Sequence, residues 1–361
     1  MSERLATVSL FSGCGGSDLG ATRAGAQIVF ANDNYKPAAD TYRKHSKLIA
    51  GTAVDFRDDD IRDIAKFPSC ELLLGCYPCQ SFTMGGNRNP DGDPRTNLYL
   101  EFRRCLQQTK PKFFVAENVA GLQWLSAGSY LEAQLEAFRT AGPGYRISAK
   151  ILDAQDFGVP AQRKRLFVVG VRRDQVAWYR FPEPTHGDAP GLEPYVSHGE
   201  ALQGLPLSAA LETYCEGREP FSWWFMSRNR KRPWRRPGFT VVANWRHVTL
   251  HPASPLMRLV SSDWRNGSKQ LWEFTDNYDV PKGYERLEQP RRLSWRECAV
   301  IQTFPRRFQP VGNIKQKYFM IGNAVPPLLM QRIVRGLVTG KALVDQRPQY
   351  GIGPNIRRRV A

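Results

Sequence analysis

What most constrains this chain is an alternation. Through roughly the first 175 residues, short apolar runs recur between amphipathic segments. The runs are Thr7–Phe11, Ile28–Ala31, Leu72–Leu74, Phe113–Ala116, Ile147–Leu152 and Leu166–Val171. Each has the length of a strand and is bounded by Gly, Pro, Asn or Asp. Helical segments are expected between them: Tyr99–Gln108, and Tyr130–Thr140 with Leu131, Leu135 and Phe138 on one face. Strands alternating with helices predict an α/β fold with a doubly wound parallel sheet. In such sheets ligands gather at the carboxyl ends of the strands.

The pattern breaks after Val171. Residues 180–290 are rich in Pro, Trp and Arg, and seven of the nine Trp fall between positions 178 and 272. The run Arg228–Arg236, RNRKRPWRR, carries six positive charges and no negative one. Periodicity returns at Arg291, and Pro326–Val338 reads as a helix begun by two prolines, with Leu329, Ile333 and Leu337 on one face. The expected organisation is a first domain over 1–180, a second, smaller domain over 181–290, a return segment over 291–345 that completes the first, and a basic mobile tail over 346–361.

Charge narrows the partner. Fifty-one Lys and Arg against 34 Asp and Glu leave a formal net charge of +17. Such an excess favours a polyanion, because each neutralised phosphate releases condensed counterions. No run of eighteen apolar residues is present, so no membrane span is expected. The start, MSERLATVSLFSG, has no basic segment leading into an apolar core, and the seven cysteines are irregularly spaced. A cytoplasmic location with free thiols is the expectation.

Three acidic or glycine-rich features suggest a nucleotide-type cofactor. Phe11-Ser12-Gly13-Cys14-Gly15-Gly16 follows the first strand directly, where glycines let the backbone turn sharply and approach a ligand. Asp18 stands where a dinucleotide fingerprint needs its third glycine, which disfavours a nicotinamide enzyme. Asp33 ends the second predicted strand, placed to accept ribose hydroxyls, and Asp60 is placed to meet an adenine amino group. A helix cap for Asp33 and a solvated charge run for Asp58–Asp60 are the alternative readings.

Past the buried run Leu72–Leu74 comes Gly75-Cys76-Tyr77-Pro78-Cys79-Gln80-Ser81-Phe82. Cys76 and Cys79 could be inert buried thiols, half of a zinc site that no second pair completes, or a thioredoxin-like redox motif. The sequence that follows, MGGNRNPDGDPR, is loop chemistry.

Taken together, nine blocks resemble those of the DNA cytosine-C5 methyltransferase family, in its order: FSGCGG at 11–16, Asp33, DIRDI at 60–64, PCQSF at 78–82, DPRTNLY at 93–99, ENV at 117–119, QRKR at 162–165, RRLSWRE at 291–297 and GNAVPP at 322–327. The resemblance runs from Thr7 to about Leu337. It implies a Rossmann-like methyltransferase sheet and S-adenosylmethionine as methyl donor. It makes Cys79 the nucleophile that adds to C6 of the target cytosine, as a thiolate. Glu117 would bond N3 and the exocyclic amine, and Asn118 would hold the loop. Arg163 and Arg165 would orient the base, its sugar or phosphate and stabilise developing charge. Phe11, Gly13, Gly15, Asp33, Asp60, Ile61, Pro78, Leu98, Asn323 and Val325 match cofactor-contact positions. The target atom is hidden in a duplex, so the base must be flipped out.

The chain departs from the pattern at Asn34, where an aromatic is usual, at Ala161, where the Gln of Q-x-R-x-R would fall, and at Tyr77, where Pro is usual. The second domain occupies the slot the family uses for target recognition, with Arg228, Arg230, Arg232, Arg235 and Arg236 as candidate contacts to double-stranded DNA. The expected molecule is a monomer, the modification enzyme of a restriction–modification system paired genetically with an endonuclease. A tRNA cytosine methyltransferase shares these motifs but usually has a shorter recognition segment. An inactive DNA-binding relative is disfavoured by the intact PCQ and ENV blocks.

Overall fold

The computed structural model describes residues 4–78, 97–208, 221–261 and 270–350. In chain order the elements begin β1 (Ala6–Leu10), α1 (Gly16–Ala24), β2 (Gln27–Asn32), α2 (Lys36–Lys44), α3 (Ser46–Ala50), β3 (Asp55–Arg57) and β4 (Leu72–Gly75). They continue α4 (Leu98–Thr109), β5 (Phe113–Val119), α5 (Ser129–Arg139), β6 (Tyr145–Asp153), β7 (Lys164–Arg172) and β8 (Trp178–Tyr179). The remainder are α6 (His198–Ala201), β9 (Met257–Ser261), β10 (Leu271–Phe274), α7 (Trp295–Ile301), α8 (Ile314–Asn323), α9 (Pro327–Val338) and β11 (Leu343–Val344). All six apolar runs are strands, and the three expected helices form within a residue or so of their expected ends.

The chain forms two compact units. One comprises residues 1–153, 164–183 and 325–361; the other comprises 154–163 and 184–324. The first holds a seven-stranded sheet in the order β3-β2-β1-β4-β5-β7-β6. β1 pairs in parallel with both β2 and β4, so the winding reverses there. That reversal opens a crevice at the carboxyl ends of β1 and β4.

The sheet is mostly parallel and doubly wound, as the alternation of strands and helices predicts, with one strand reversed. β7 runs antiparallel to both β5 and β6. The ten residues between β6 and β7 carry only a short 3-10 turn, Ala154–Phe157, too little for the crossover that a parallel pair requires. The edge strand β3 has only three residues, one of them buried, so the periodicity of the sequence did not disclose it.

An aromatic core packs on one face of the sheet. Phe102 of α4, Phe114 of β5 and Phe138 of α5 meet with ring centroids 5.3–5.7 Å apart in edge-to-face geometry. Tyr77 joins them and donates its hydroxyl to Gln134 Oε1 at 2.7 Å. On the other side α9 packs along α1. Gly20 permits this, since a Cβ there would lie 2.3 Å from the Pro327 carbonyl. The tail is docked as far as Tyr350, whose hydroxyl accepts from the Phe181 N–H at 2.7 Å.

The second unit has few regular elements, mainly the β9–β10 hairpin and the helices α7 and α8. A capping box starts each helix, Ser294 with Glu297 and Asn313 with Gln316. No helix among the described residues is long and apolar enough to cross a membrane.

Candidate active site

In the first unit the crevice is built from four strand ends. Leaving β1, Phe11 adopts a left-handed backbone with φ 56°. That is rare for a bulky residue and carries strain of the kind that marks functional turns. Gly13 and Gly15 follow with φ 56° and 87°, and Gly15 caps α1. A Cβ added to Gly13 would meet nothing within 4 Å, so open space lies beside the loop.

From the end of β2, Asp33 reaches this loop: Oδ2 accepts from Gly13 N at 2.8 Å, and Oδ1 from Tyr35 N at 3.0 Å. Burial raises the Asp33 carboxyl above the ordinary aspartate range, while the two N–H groups pull it down. A carboxylate offers about four acceptor sites, so each oxygen retains one for a hydroxyl. Asn32 ties the next segment in, donating from Nδ2 to the carbonyls of Arg57 and Asp59 at 3.0 Å. Asp60 caps a 3-10 turn, accepting from Arg62 N, and also pairs with the Arg62 guanidinium at 2.6 Å. That guanidinium lowers its pKa to about 2. Ile61 is buried, and its carbonyl accepts from Arg104 of α4. Leu98, half-buried, opens α4.

A buried carboxylate on α1 supports the glycine loop through a chain of hydroxyls. Asp18 is fully buried and accepts from Ser9 Oγ at 2.6 Å, Ser17 Oγ at 3.1 Å and the Tyr42 hydroxyl at 2.7 Å. Ser12 Oγ extends the network to Ser9 at 3.0 Å. No sequence signal distinguishes Asp18 from a surface acid, because its partners come from three separate elements.

β4 and β5 supply the reactive side. Gly75 pairs with Ala116, so Cys76 lies alongside Glu117. Glu117 is 7% exposed, and Arg165 Nε reaches its Oε1 at 3.0 Å from the paired strand β7. Burial lowers the Arg165 pKa, and Glu117 opposes that. Asn118 donates to the Tyr77 carbonyl at 3.3 Å and accepts from Val119 N at 2.8 Å, tying the stretch after β4 to the end of β5; Pro78 is half-buried. Cys79 lies outside the described residues, as does Cys215. The other five cysteines, at 14, 70, 76, 105 and 298, are free thiols. Burial pushes all five up, Cys76 well above the usual thiol range with Glu117 adding to the effect. None is poised as a thiolate.

In the second unit Arg163 is 1% exposed and spends its donors on backbone. Nη1 donates to the Val241 carbonyl at 3.0 Å, and Nη2 to the Gly322 and Ala324 carbonyls at 2.9 Å. Gly322 itself sits so close to the 242–243 backbone that a Cβ would lie 2.2 Å from Ala243 N. Asn323 is exposed at the end of α8, and Val325 is buried where the chain re-enters the first unit.

The basic run divides by exposure. Arg228 and Arg235 are exposed, and Arg236 forms an exposed pair with Asp188 at 3.0 Å. Arg232 is half-buried and donates to the Pro237 carbonyl at 3.1 Å. Arg230 and Lys231 are buried, Lys231 paired with Asp279 at 2.6 Å. A further buried cluster lay unseen in the sequence: Glu297 accepts both Arg291 guanidinium nitrogens at 2.7 and 2.8 Å, with His251 Nε2 3.4 Å away.

The profile of the C-5 cytosine-specific DNA methylase family matches residues 5–339. The chain belongs to that family. It is 36% identical to the Type II methyltransferase M.BspRI of Lysinibacillus sphaericus, over 96% of this chain and 85% of that one. It is 35% identical to the Type II methyltransferase M.BsuRI of Bacillus subtilis, over 92% and 78%. Two solved structures share the fold. One is a putative DNA modification methyltransferase encoded within an E. coli prophage, with TM-score 0.61, 23% identity and coverage of 93% and 99%. The other is the S. pombe Dnmt2 methyltransferase, with TM-score 0.63, 16% identity and coverage of 94% and 99%. The enzyme class of this C5 methylase is DNA (cytosine-5-)-methyltransferase.

Proposed function

We propose that this methylase modifies C5 of a cytosine within a specific sequence of duplex DNA, through a covalent adduct between Cys79 and C6 of a flipped base. The observation that carries the reading is the buried Glu117–Arg165 pair beside Cys76, three residues before Cys79. A carboxyl held there can bond N3 and the exocyclic amine of cytosine, drawing electrons from the ring as the Cys79 thiolate attacks C6. The charge that develops meets Arg165. C5, now enamine-like, takes the methyl group and then gives up its proton, and expulsion of Cys79 restores the ring. Asn118 fixes the turn, and Arg163 acts as a positioning residue through the 241 and 322–324 backbone.

S-adenosylmethionine supplies an electrophilic methyl on a sulfonium. The open space at Gly13 and the free acceptor capacity of Asp33 fit its ribose; Phe11, Gly15, Asp60, Ile61, Pro78, Leu98 and Val325 complete the contact set within this unit, and Asn323 is a further position that the family resemblance implies. Arg228, Arg235 and Arg236 are the outward-facing candidates for DNA, within a recognition region of residues 181–290. Similarity to Type II methyltransferases supports a role as a restriction–modification methyltransferase. A monomer acting in the cytoplasm, with an endonuclease as its genetic partner, completes the reading.

Duplex DNA carrying 5-fluorocytosine at the target tests the mechanism. Fluorine cannot leave as a cation, so methyl transfer should strand a denaturant-resistant protein–DNA adduct that requires S-adenosylmethionine. Cys79→Ser should abolish it and Cys76→Ser should not. A full-strength adduct from Cys79→Ser overturns the assignment.

A further inference from the structure

Within the second unit, three extended segments lie side by side. Leu250 N donates to the Arg230 carbonyl at 3.1 Å, Leu293 N donates to the Thr249 carbonyl at 2.9 Å, and Leu250 forms a bridge with Arg292. Their side chains converge on two aromatic residues. The Trp224 and His247 rings meet at 4.6 Å. Arg230 lies 5.0 Å over both Trp224 and Phe225, Arg228 6.0 Å over Trp224, and Arg292 4.2 Å over Phe225. Arg292 Nη1 also donates to the Arg246 backbone carbonyl at 3.3 Å, and the Arg246 guanidinium lies 5.3 Å over Trp245, near enough for its charge to act on His247.

The cluster is electrostatically one-sided. Arg230 is 6% exposed, its Nη2 has no hydrogen-bond partner, and neither it, Arg228 nor Arg246 pairs with a carboxylate among the described residues. Burial and the neighbouring Arg228 and Arg292 charges push the Arg230 pKa down to about 10. A buried, uncompensated cation is expensive unless an anion completes it. The charged groups facing His247 are Arg230, Arg228, Arg292 and Arg246, all of one sign. Two other buried cations in the unit have carboxylate partners: Lys231 has Asp279, and Arg291 has Glu297.

We propose that Arg228, Arg230, Arg246 and Arg292, gathered around His247, form a docking site for one backbone phosphate of the DNA substrate. This rests on the DNA reading above and assigns it a defined contact. A phosphodiester is the occupant favoured because the site offers planar donors of like charge, and Arg228, Arg230 and Arg246 meet no carboxylate among the described residues. It also gives the site a proton linkage. In the free protein burial and the four guanidinium groups hold His247 below the ordinary histidine range. A phosphate neutralises that repulsion, so His247 gains a proton as DNA binds. Binding with proton uptake tightens as pH falls, and the gain is lost as pH rises through the bound-state pKa.

The test is equilibrium binding of the full chain to duplex DNA at fixed ionic strength from pH 5.5 to 8, with the protons taken up counted by calorimetry in buffers of different ionisation enthalpy. Wild type is expected to bind about three- to tenfold more tightly at the acid end, the scale of up to one pH unit of linkage. His247→Gln should bind with a flatter pH profile and reduced proton uptake. His247→Asn should repeat that result if the first variant folds poorly. Arg246→Gln should lower the slope of log affinity against log salt by about 0.9, one phosphate contact. Equal proton uptake by wild type and His247→Gln, or an unchanged salt slope in Arg246→Gln, overturns the site while leaving DNA binding intact. Absence of DNA binding by wild type at every pH overturns the DNA reading and the site with it. Inorganic phosphate alone, at matched ionic strength, is expected to reproduce a fraction of the proton uptake in wild type and none in His247→Gln; equal uptake by both proteins counts against the site.

Discussion

Arg163 offers the sharpest separation between what resemblance implies and what geometry implies. By resemblance it orients the substrate. In the structure it is 1% exposed and its guanidinium holds three carbonyls, of Val241, Gly322 and Ala324. Arg163→Met removes the donors and keeps the stem. The Ala324 carbonyl still has Gln302 Nε2 at 3.2 Å, so two carbonyls, Val241 and Gly322, lose this donor. At about 1–3 kcal/mol for each buried group left unsatisfied, the expected destabilisation is roughly 2–6 kcal/mol. Taking about 4 kcal/mol, and about 2–4 °C per kcal/mol for a unit of this size, the melting transition falls by roughly 8–16 °C. Arg163→Lys keeps the charge but not the fork, so it should fall between wild type and Met. The assay is thermal unfolding by circular dichroism, alongside yield of the 5-fluorocytosine adduct well below the transition. A melting temperature unchanged in both variants, with adduct formation lost, refutes the positioning role and returns Arg163 to the substrate.

Further outcomes follow from other buried groups. Glu117→Gln should slow adduct formation by about 10²–10⁴-fold, the range of a positioned acid–base group; single-turnover kinetics would reveal a smaller effect. Glu297→Gln strands Arg291 and should cost about 3–5 kcal/mol, as one-sided removal of a buried ion pair does; a denaturant midpoint equal to wild type would contradict this. Burial lowers the His198 pKa from 6.5 to about 4, against its hydrogen bond to the Arg236 carbonyl. For a histidine depressed in the folded state, stability is full above pH 6.5 and is lost as the unfolded chain takes up the proton below it. Acidification from pH 7 to 4 should therefore cost roughly 3 kcal/mol through this residue, and His198→Gln should flatten that part of the stability profile.

The sequence by itself determined much of the first unit. Six strands and three helices were readable because burial on both sheet faces demands continuous apolar runs and amphipathic helices cover them. The glycine turn was readable because tight turns restrict residue choice to very few types, and Asp33 follows β2 where the sequence places it, accepting from Gly13 N. The family blocks carried identity in the same way. Tertiary structure decided what depends on partners distant in the chain. β7 reverses direction because the link from β6 is too short to cross over, a matter of connection length and not of strand pattern. Asp18 and Asp33 look alike in sequence, yet one is consumed by three hydroxyls and the other keeps open acceptor sites. The run Arg228–Arg236 reads as a uniform positive face. Folding against residues 246–250 and 291–293 buries Arg230, and Lys231 is buried against Asp279, while Arg228 stays exposed. Charge is a property of residue type, whereas its cost is a property of environment, and the environment is assembled by contacts that no local pattern records.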